Sequence, residues 1–88
     1  MKKDIKKILQ KMEQAPHNVS FRELEKVCIY YFGPPRINGS HRYFKMPWKD
    51  DPRVCIQDKN GKAKPYQIKD VLLAVQRAER LGRERGEE

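Results

Sequence analysis

The segment Asn38-Gly39-Ser40-His41 sets a histidine directly behind a turn signal and ahead of the apolar-aromatic run Tyr43-Phe44-Lys45-Met46. Histidine can both take and give a proton near neutral pH, because its ordinary pKa lies there. Cations surround it in the sequence. Arg36 and Arg42 flank it, Lys45 follows, and Lys59, Lys62 and Lys64 stand just before a helix signal. A helix N-terminus favours anions through its free N–H groups and dipole. A proton-transfer group among phosphate-binding cations is the equipment for RNA cleavage, in which a ribose 2′-oxygen attacks the adjacent phosphorus. His41 would act as general base or acid. The lysines, with Arg42 or Lys45, would stabilise the extra negative charge of the transition state. Gly39 has no side chain and lets a backbone approach closely. Ser40 either hydrogen-bonds a phosphate oxygen or serves the turn itself.

These residues need a sheet to hold them. Asn38-Gly39 between strand-like segments predicts a hairpin with a type I′ turn, which takes positive φ at both central residues. Arg36-Ile37 reads as a short edge strand behind two prolines. Ser40 to Met46 forms the next strand, with His41 at its second position, and Val54-Cys55-Ile56-Gln57 a third. Pro47–Pro52 links them as a polar turn, and Lys59-Asn60-Gly61-Lys62 ends the third strand. Alternation puts His41, Tyr43 and Lys45 on one face and Arg42, Phe44 and Met46 on the other. A one-residue bulge near Gly39 would reverse that assignment.

Helices must cover the apolar face. Ile5, Ile8, Leu9 and Met12 recur at helical spacing and predict a helix over about Asp4 to Gln14, broken by Ala15-Pro16-His17-Asn18. Ser20-Phe21-Arg22-Glu23 fits a capping box, with Val19 and Leu24 as its hydrophobic staple. The helix behind it buries Phe21, Leu24, Val27, Cys28 and Tyr31, and Gly33-Pro34-Pro35 stops it. Pro65 suits the first position of a last helix carrying Ile68, Val71, Leu72, Val75 and Ala78. The order α-α-β-β-β-α predicts an α+β fold, a three-stranded antiparallel sheet with helices packed on one face. The other face is left to solvent or a partner.

The chain's 88 residues make one small domain. Lys and Arg number 20 against 12 Asp and Glu, a formal net charge of +8. With a pI near 9.7 and a mean hydropathy of -0.97, the chain should attract phosphate backbones in a salt-dependent way. A solvated basic face, or docking to an acidic protein, is the alternative. No run reaches transmembrane length, and Asp4 and the charges after it leave no apolar signal region behind Met1-Lys2-Lys3. The expectation is a cytoplasmic protein with no membrane partner. Cys28 and Cys55 belong to no C-x-x-C pair and read as free thiols, so no metal and no cofactor is expected. Paired carboxylates, a Gly-rich nucleotide loop and a serine-protease-type triad are absent from the sequence.

Gly39-Ser40-His41, the aromatic strand behind it and Lys64-Pro65 before the final helix resemble the HicA toxins, small ribonucleases of toxin–antitoxin systems. The resemblance runs from about Ser20 to Ala78. It implies a double-stranded-RNA-binding-domain-like fold, metal-independent cleavage of mRNA and neutralisation by a HicB-type antitoxin. The family's catalytic histidine falls on His41, with Gly39 and Ser40 completing its motif. Arg42 stands where the family often has a second histidine. Val54-Cys55-Ile56-Gln57 stands where many members carry Val-Pro-Val-His or similar. His41 is thereby the one acid–base candidate on the sheet. On this reading 1–18 is an N-terminal helical extension, 19–81 the ribonuclease domain and 82–88 a charged tail.

Two other functions fit the same residues: a non-catalytic RNA-binding module with an inert His41, and a protein-interaction subunit whose basic face docks an acidic partner. A histidine beside a turn is often only a surface residue. His17, in its Ala-Pro-His-Asn linker, reads as a loop residue rather than a ligand. Trp48 reads as a loop aromatic at the sheet edge, with base stacking as its alternative. Among Tyr30, Tyr31 and Tyr43, only Tyr43 is placed to meet RNA.

Overall fold

The computed structural model describes residues 3–46 and 53–80. Their elements are α1 (Lys3–Gln14), a 3₁₀ turn (Pro16–Asn18), α2 (Phe21–Phe32), β1 (Arg36–Asn38), β2 (His41–Lys45), β3 (Arg53–Gln57) and α3 (Pro65–Arg80). The Pro47–Pro52 link with Trp48, and the tail from Gly82, lie outside the described residues.

The capping box starts α2 as its sequence requires. The Glu23 N–H donates to Ser20 Oγ at 3.1 Å, and the Ser20 N–H donates to Glu23 Oε1 at 3.0 Å. Val19 and Leu24, the two staple positions, are both buried. Gly33 ends the helix with φ 88°, its N–H returning to the Ile29 carbonyl at 2.9 Å. Positive φ is what a glycine tolerates there without a Cβ clash.

The strands form one antiparallel sheet in the order β1-β2-β3, so β2 is central. Phe44 and Ile56 are fully buried on the face that α2 and α3 cover. Tyr31, Val27, Ile68 and Val71 meet them in the same core. The result is an α+β fold, with the antiparallel sheet and three helices among the described residues. Helix α1 packs on α2 and α3 and contributes Ile5, Ile8 and Met12 to that core. Its last turn is joined to the start of α2 as well, because the Lys11 ammonium lies 2.9 Å from Glu23 Oε2. In packing terms α1 is therefore part of the core rather than an appendage.

The β1–β2 turn differs from the expectation. Asn38 pairs with His41, which leaves Gly39 and Ser40 as the two loop residues. Gly39 has φ 63° while Ser40 keeps a negative φ, the pattern of a type II′ turn rather than the expected type I′. His41 is accordingly the first residue of β2, not the second. Proline explains the slip. With Asn38-Gly39 as the loop, a three-pair ladder would have to include Pro35, which has no N–H to give. The observed register pairs Arg36, Ile37 and Asn38 instead. Face assignments survive, because the register moves by two. The type I′ turn occurs at the other Asn-Gly pair, where Asn60 has φ 54° and Gly61 φ 81°.

Candidate active site and nucleic-acid interface

His41 stands on the sheet face that no described helix covers. Its ring is half-buried and stacks on Tyr43 with centroids 6.0 Å apart and planes inclined by 18°. Among the described residues, no side chain hydrogen-bonds the imidazole. Register sets Asn38 and Gln57 on either side of His41, and Arg36 and Cys55 on either side of Tyr43. Lys45 is exposed on the same face. The open face thus offers an imidazole, a phenol, a flanking amide on each side and the cations of Arg36 and Lys45.

Asn38 and Gln57 were not among the residues singled out from the sequence. Asn38 reads there as part of the turn, and only the register of the finished hairpin returns it to the sheet beside the histidine. Behind Gln57, the buried side chain of Gln67 on α3 accepts the Gln57 N–H at 3.2 Å. This bond ties the first turn of α3 to the strand position opposite His41.

Arg42 points the other way. On the covered face its Nε donates to Glu25 Oε2 at 3.0 Å, and its guanidinium lies 5.5 Å from the Phe21 ring centroid. Its Nη1 donates to the Gly39 carbonyl at 3.1 Å. The residue braces the turn beside His41 from behind and does not share the histidine's face. Gly39 itself is exposed, and a Cβ built on it would meet nothing within 4 Å. The hydroxyl of Ser40 has no protein partner among the described residues, whereas its carbonyl accepts the Asp58 N–H at 3.0 Å.

That last bond attaches the lysine turn to the same end of the sheet. Lys59 and Lys62 exchange backbone bonds of 3.1 and 3.0 Å across Asn60-Gly61. Asp58 Oδ1 accepts the Gly61 N–H at 2.7 Å. The turn then leans on the start of α2, where the Phe21 N–H reaches the Gly61 carbonyl at 3.0 Å. Lys59 and Lys62 are exposed. Lys64 is half-buried at the start of α3, its ammonium 5.8 Å from the Tyr66 ring centroid. The structure therefore joins Gly39, Ser40, Lys59 and Lys62 at one end of the sheet. His41 and Lys45 occupy the open face, and Arg42 and Lys64 stand apart from it.

The Glu23 carboxyl and the Cys28 thiol are shifted. Burial alone would raise the Glu23 carboxyl, but the Ser20 N–H and the Lys11 ammonium outweigh it and the net shift is downward. Burial pushes the Cys28 thiol far up, with the Glu25 charge adding to the effect. Such a thiol stays protonated and inert. Among the described residues no three His, Cys, Asp or Glu side chains form a group able to hold a metal ion. No described helix is long and apolar enough to cross a membrane.

No protein-family model matches this chain, and neither curated proteins nor solved structures give a significant match.

Proposed function

We propose that this chain is an endoribonuclease of the kind the HicA resemblance implies, acting on mRNA through His41. The observation that carries the reading is the mounting of His41: a half-exposed imidazole on a basic, uncovered sheet face, stacked on Tyr43 and fixed on the central strand. On this reading the fold is double-stranded-RNA-binding-domain-like, the cytoplasm is its place of action and a HicB-type antitoxin neutralises it by covering the face. The imidazole takes the proton of the ribose 2′-hydroxyl as the 2′-oxygen attacks phosphorus. The bond to the 5′-oxygen breaks, that oxygen takes a proton from solvent water, and a 2′,3′-cyclic phosphate remains. Lys45 and the Lys59 and Lys62 ammoniums offset charge on the phosphoryl oxygens. Asn38 and Gln57 are hydrogen-bonding groups for sugar or base at either side.

The test is His41→Ala. Growth arrest on induction and cleavage of RNA in vitro should both vanish while folding and RNA binding persist. Cleavage that persists sinks the assignment.

One observation favours a second reading, RNA binding without cleavage. No carboxylate or carbonyl among the described residues orients the His41 ring, whereas catalytic histidines are commonly held by such a group. This reading predicts salt-sensitive binding and no cleavage products at any protein concentration.

A further inference from the structure

The 3₁₀ turn Pro16–Asn18 and the lysine turn meet over the start of α2, where Ser20 bridges to Lys62. Between them lies a cleft of about 300 Å³ lined by His17, Asn18, Ser20, Asn60 and Lys62, among others. Its chemistry differs from that of two neighbouring clefts. Asp4 and Glu23 line the one between α1 and α2, and Glu25 and Asp58 line the one beneath Arg42. The His17 cleft has no carboxylate in its wall. The two carboxylates bonded to its wall residues are already engaged. Glu23 holds the Ser20 N–H and pairs with Lys11, and Asp58 holds the Gly61 N–H. At the start of α2 the N–H groups of Ser20, Phe21 and Glu23 are also taken, by Glu23, Gly61 and Ser20. A ligand here meets the side chains of His17, Asn18, Asn60 and Lys62.

Those side chains form a donor set: one ammonium, one imidazole and two primary amides. All suit phosphate oxygens. His17 is also held in place, because Asn18 and Val19 return backbone bonds to Ala15 and Pro16 at 2.9 and 3.1 Å. The lysine turn that forms one wall is joined through Asp58 and Ser40 to the turn beside His41.

We propose that this cleft is a second phosphodiester-binding subsite, into which an RNA strand engaged at His41 continues over the lysine turn. The inference rests on the ribonuclease reading of the sheet face. It gives the segment before α2 a role in gripping substrate in addition to its role in the core.

The experiment measures binding of a fluorescent single-stranded RNA by anisotropy at pH 8, in a His41→Ala background so that the RNA stays intact. His17→Ala combined with Asn60→Gly removes two donors while glycine keeps the left-handed turn. Lys62→Gln removes the cation, and Lys69→Gln on the exposed side of α3 is a charge-matched control. The double variant should raise Kd about tenfold, as expected for losing hydrogen bonds to a charged group, with the salt slope unchanged. Lys62→Gln should lower the salt slope by about 1. Lys69→Gln should change Kd by less than twofold. The subsite is overturned if the double variant binds within twofold of its parent, or if Lys69→Gln weakens binding as much as Lys62→Gln. It is also overturned in favour of a free-anion site if inorganic phosphate alone, at the RNA's concentration, saturates the NMR shifts of the Asn18 and Asn60 side-chain amides. If the parent binds no RNA at all, the ribonuclease reading falls and the subsite with it. If the parent binds and only the cleft variants are silent, the subsite alone falls.

Discussion

Arg42 and Glu25 are joined across the covered face of the sheet by a 3.0 Å bond from Nε to Oε2, with side chains only 21% and 24% exposed. The same guanidinium holds the Gly39 carbonyl and rests over Phe21. A phosphate could recruit Arg42 only by breaking these contacts. Arg42→Ala should therefore lower unfolding stability by about 2 kcal/mol, while the salt slope of RNA binding stays as in the wild type. Chemical denaturation and a salt titration check the two halves. A slope reduced by about 1 with stability unchanged would show instead that Arg42 binds phosphate.

His41 and Tyr43 should separate kinetically. His41→Ala is expected to reduce cleavage by about 10²–10⁴-fold, the usual contribution of one acid–base group. Tyr43 orients the imidazole by stacking and does not transfer the proton. Tyr43→Ala should lower kcat by about tenfold through lost positioning, and Tyr43→Phe should restore it because the ring face is kept. Single-turnover cleavage with the three variants decides the matter. A Tyr43→Phe enzyme as slow as Tyr43→Ala would give the phenol hydroxyl a chemical role.

Glu23 sets an acid limit on stability. Its folded pKa lies below the ordinary 4.5, so its contribution is fully present above the unfolded carboxylate's pKa. It is lost as pH falls through the folded value. Glu23→Gln keeps a capping-box side chain and discards the charge that Lys11 meets. Wild type should exceed this variant by about 1 kcal/mol at pH 7, with the gap closing below about pH 4. Urea unfolding across pH 3 to 7 reads the gap directly. A gap that does not depend on pH would contradict the assignment.

The two thiols should label at different rates. Cys28 is fully buried and its thiol is pushed up, whereas Cys55 is half-buried on the open face opposite Tyr43. A thiol reagent at pH 8 should modify Cys55 in the folded protein and Cys28 only as the core opens. Cys28→Ser should cost about 1–3 kcal/mol, since a buried hydroxyl needs a partner that this site was not built to give. Mass spectrometry of the labelled peptides measures the ratio. Equal rates would show that the core around Cys28 opens easily.

Much of this arrangement was legible in local sequence. Apolar spacing gave three helices to within a few residues, and Ser20 with Glu23 marked the start of α2 because capping is a contact three residues long. Strand alternation placed His41 with Tyr43 and Lys45, opposite Phe44 and Met46. The loop between Asn38 and His41 was misread because an Asn-Gly pair reports only turn propensity. Which residues close the turn was decided by Pro34 and Pro35, which cannot join the ladder. Long-range partners carry no such signal. Nothing near Arg42 in the chain announces Glu25, 17 residues earlier. Nothing near His17 announces Lys62, which lines the same cleft only because the lysine turn docks on α2. The amides beside His41 became visible only with the register.

His41 sits on the central strand, with Asn38 on one neighbour and Gln57 on the other. Its backbone is paired on both sides and shares its strand with Phe44, which places it in the cooperative unit that also contains Phe44 and Ile56. An active-site residue on a peripheral loop can melt out of geometry while the rest of a protein stays folded. Here the histidine has no such private disorder. Amide exchange at His41 and Arg42 should follow global unfolding, and heat should abolish activity and tertiary structure in a single transition. For a domain this small, the proposed site and the centre of the sheet share one fate.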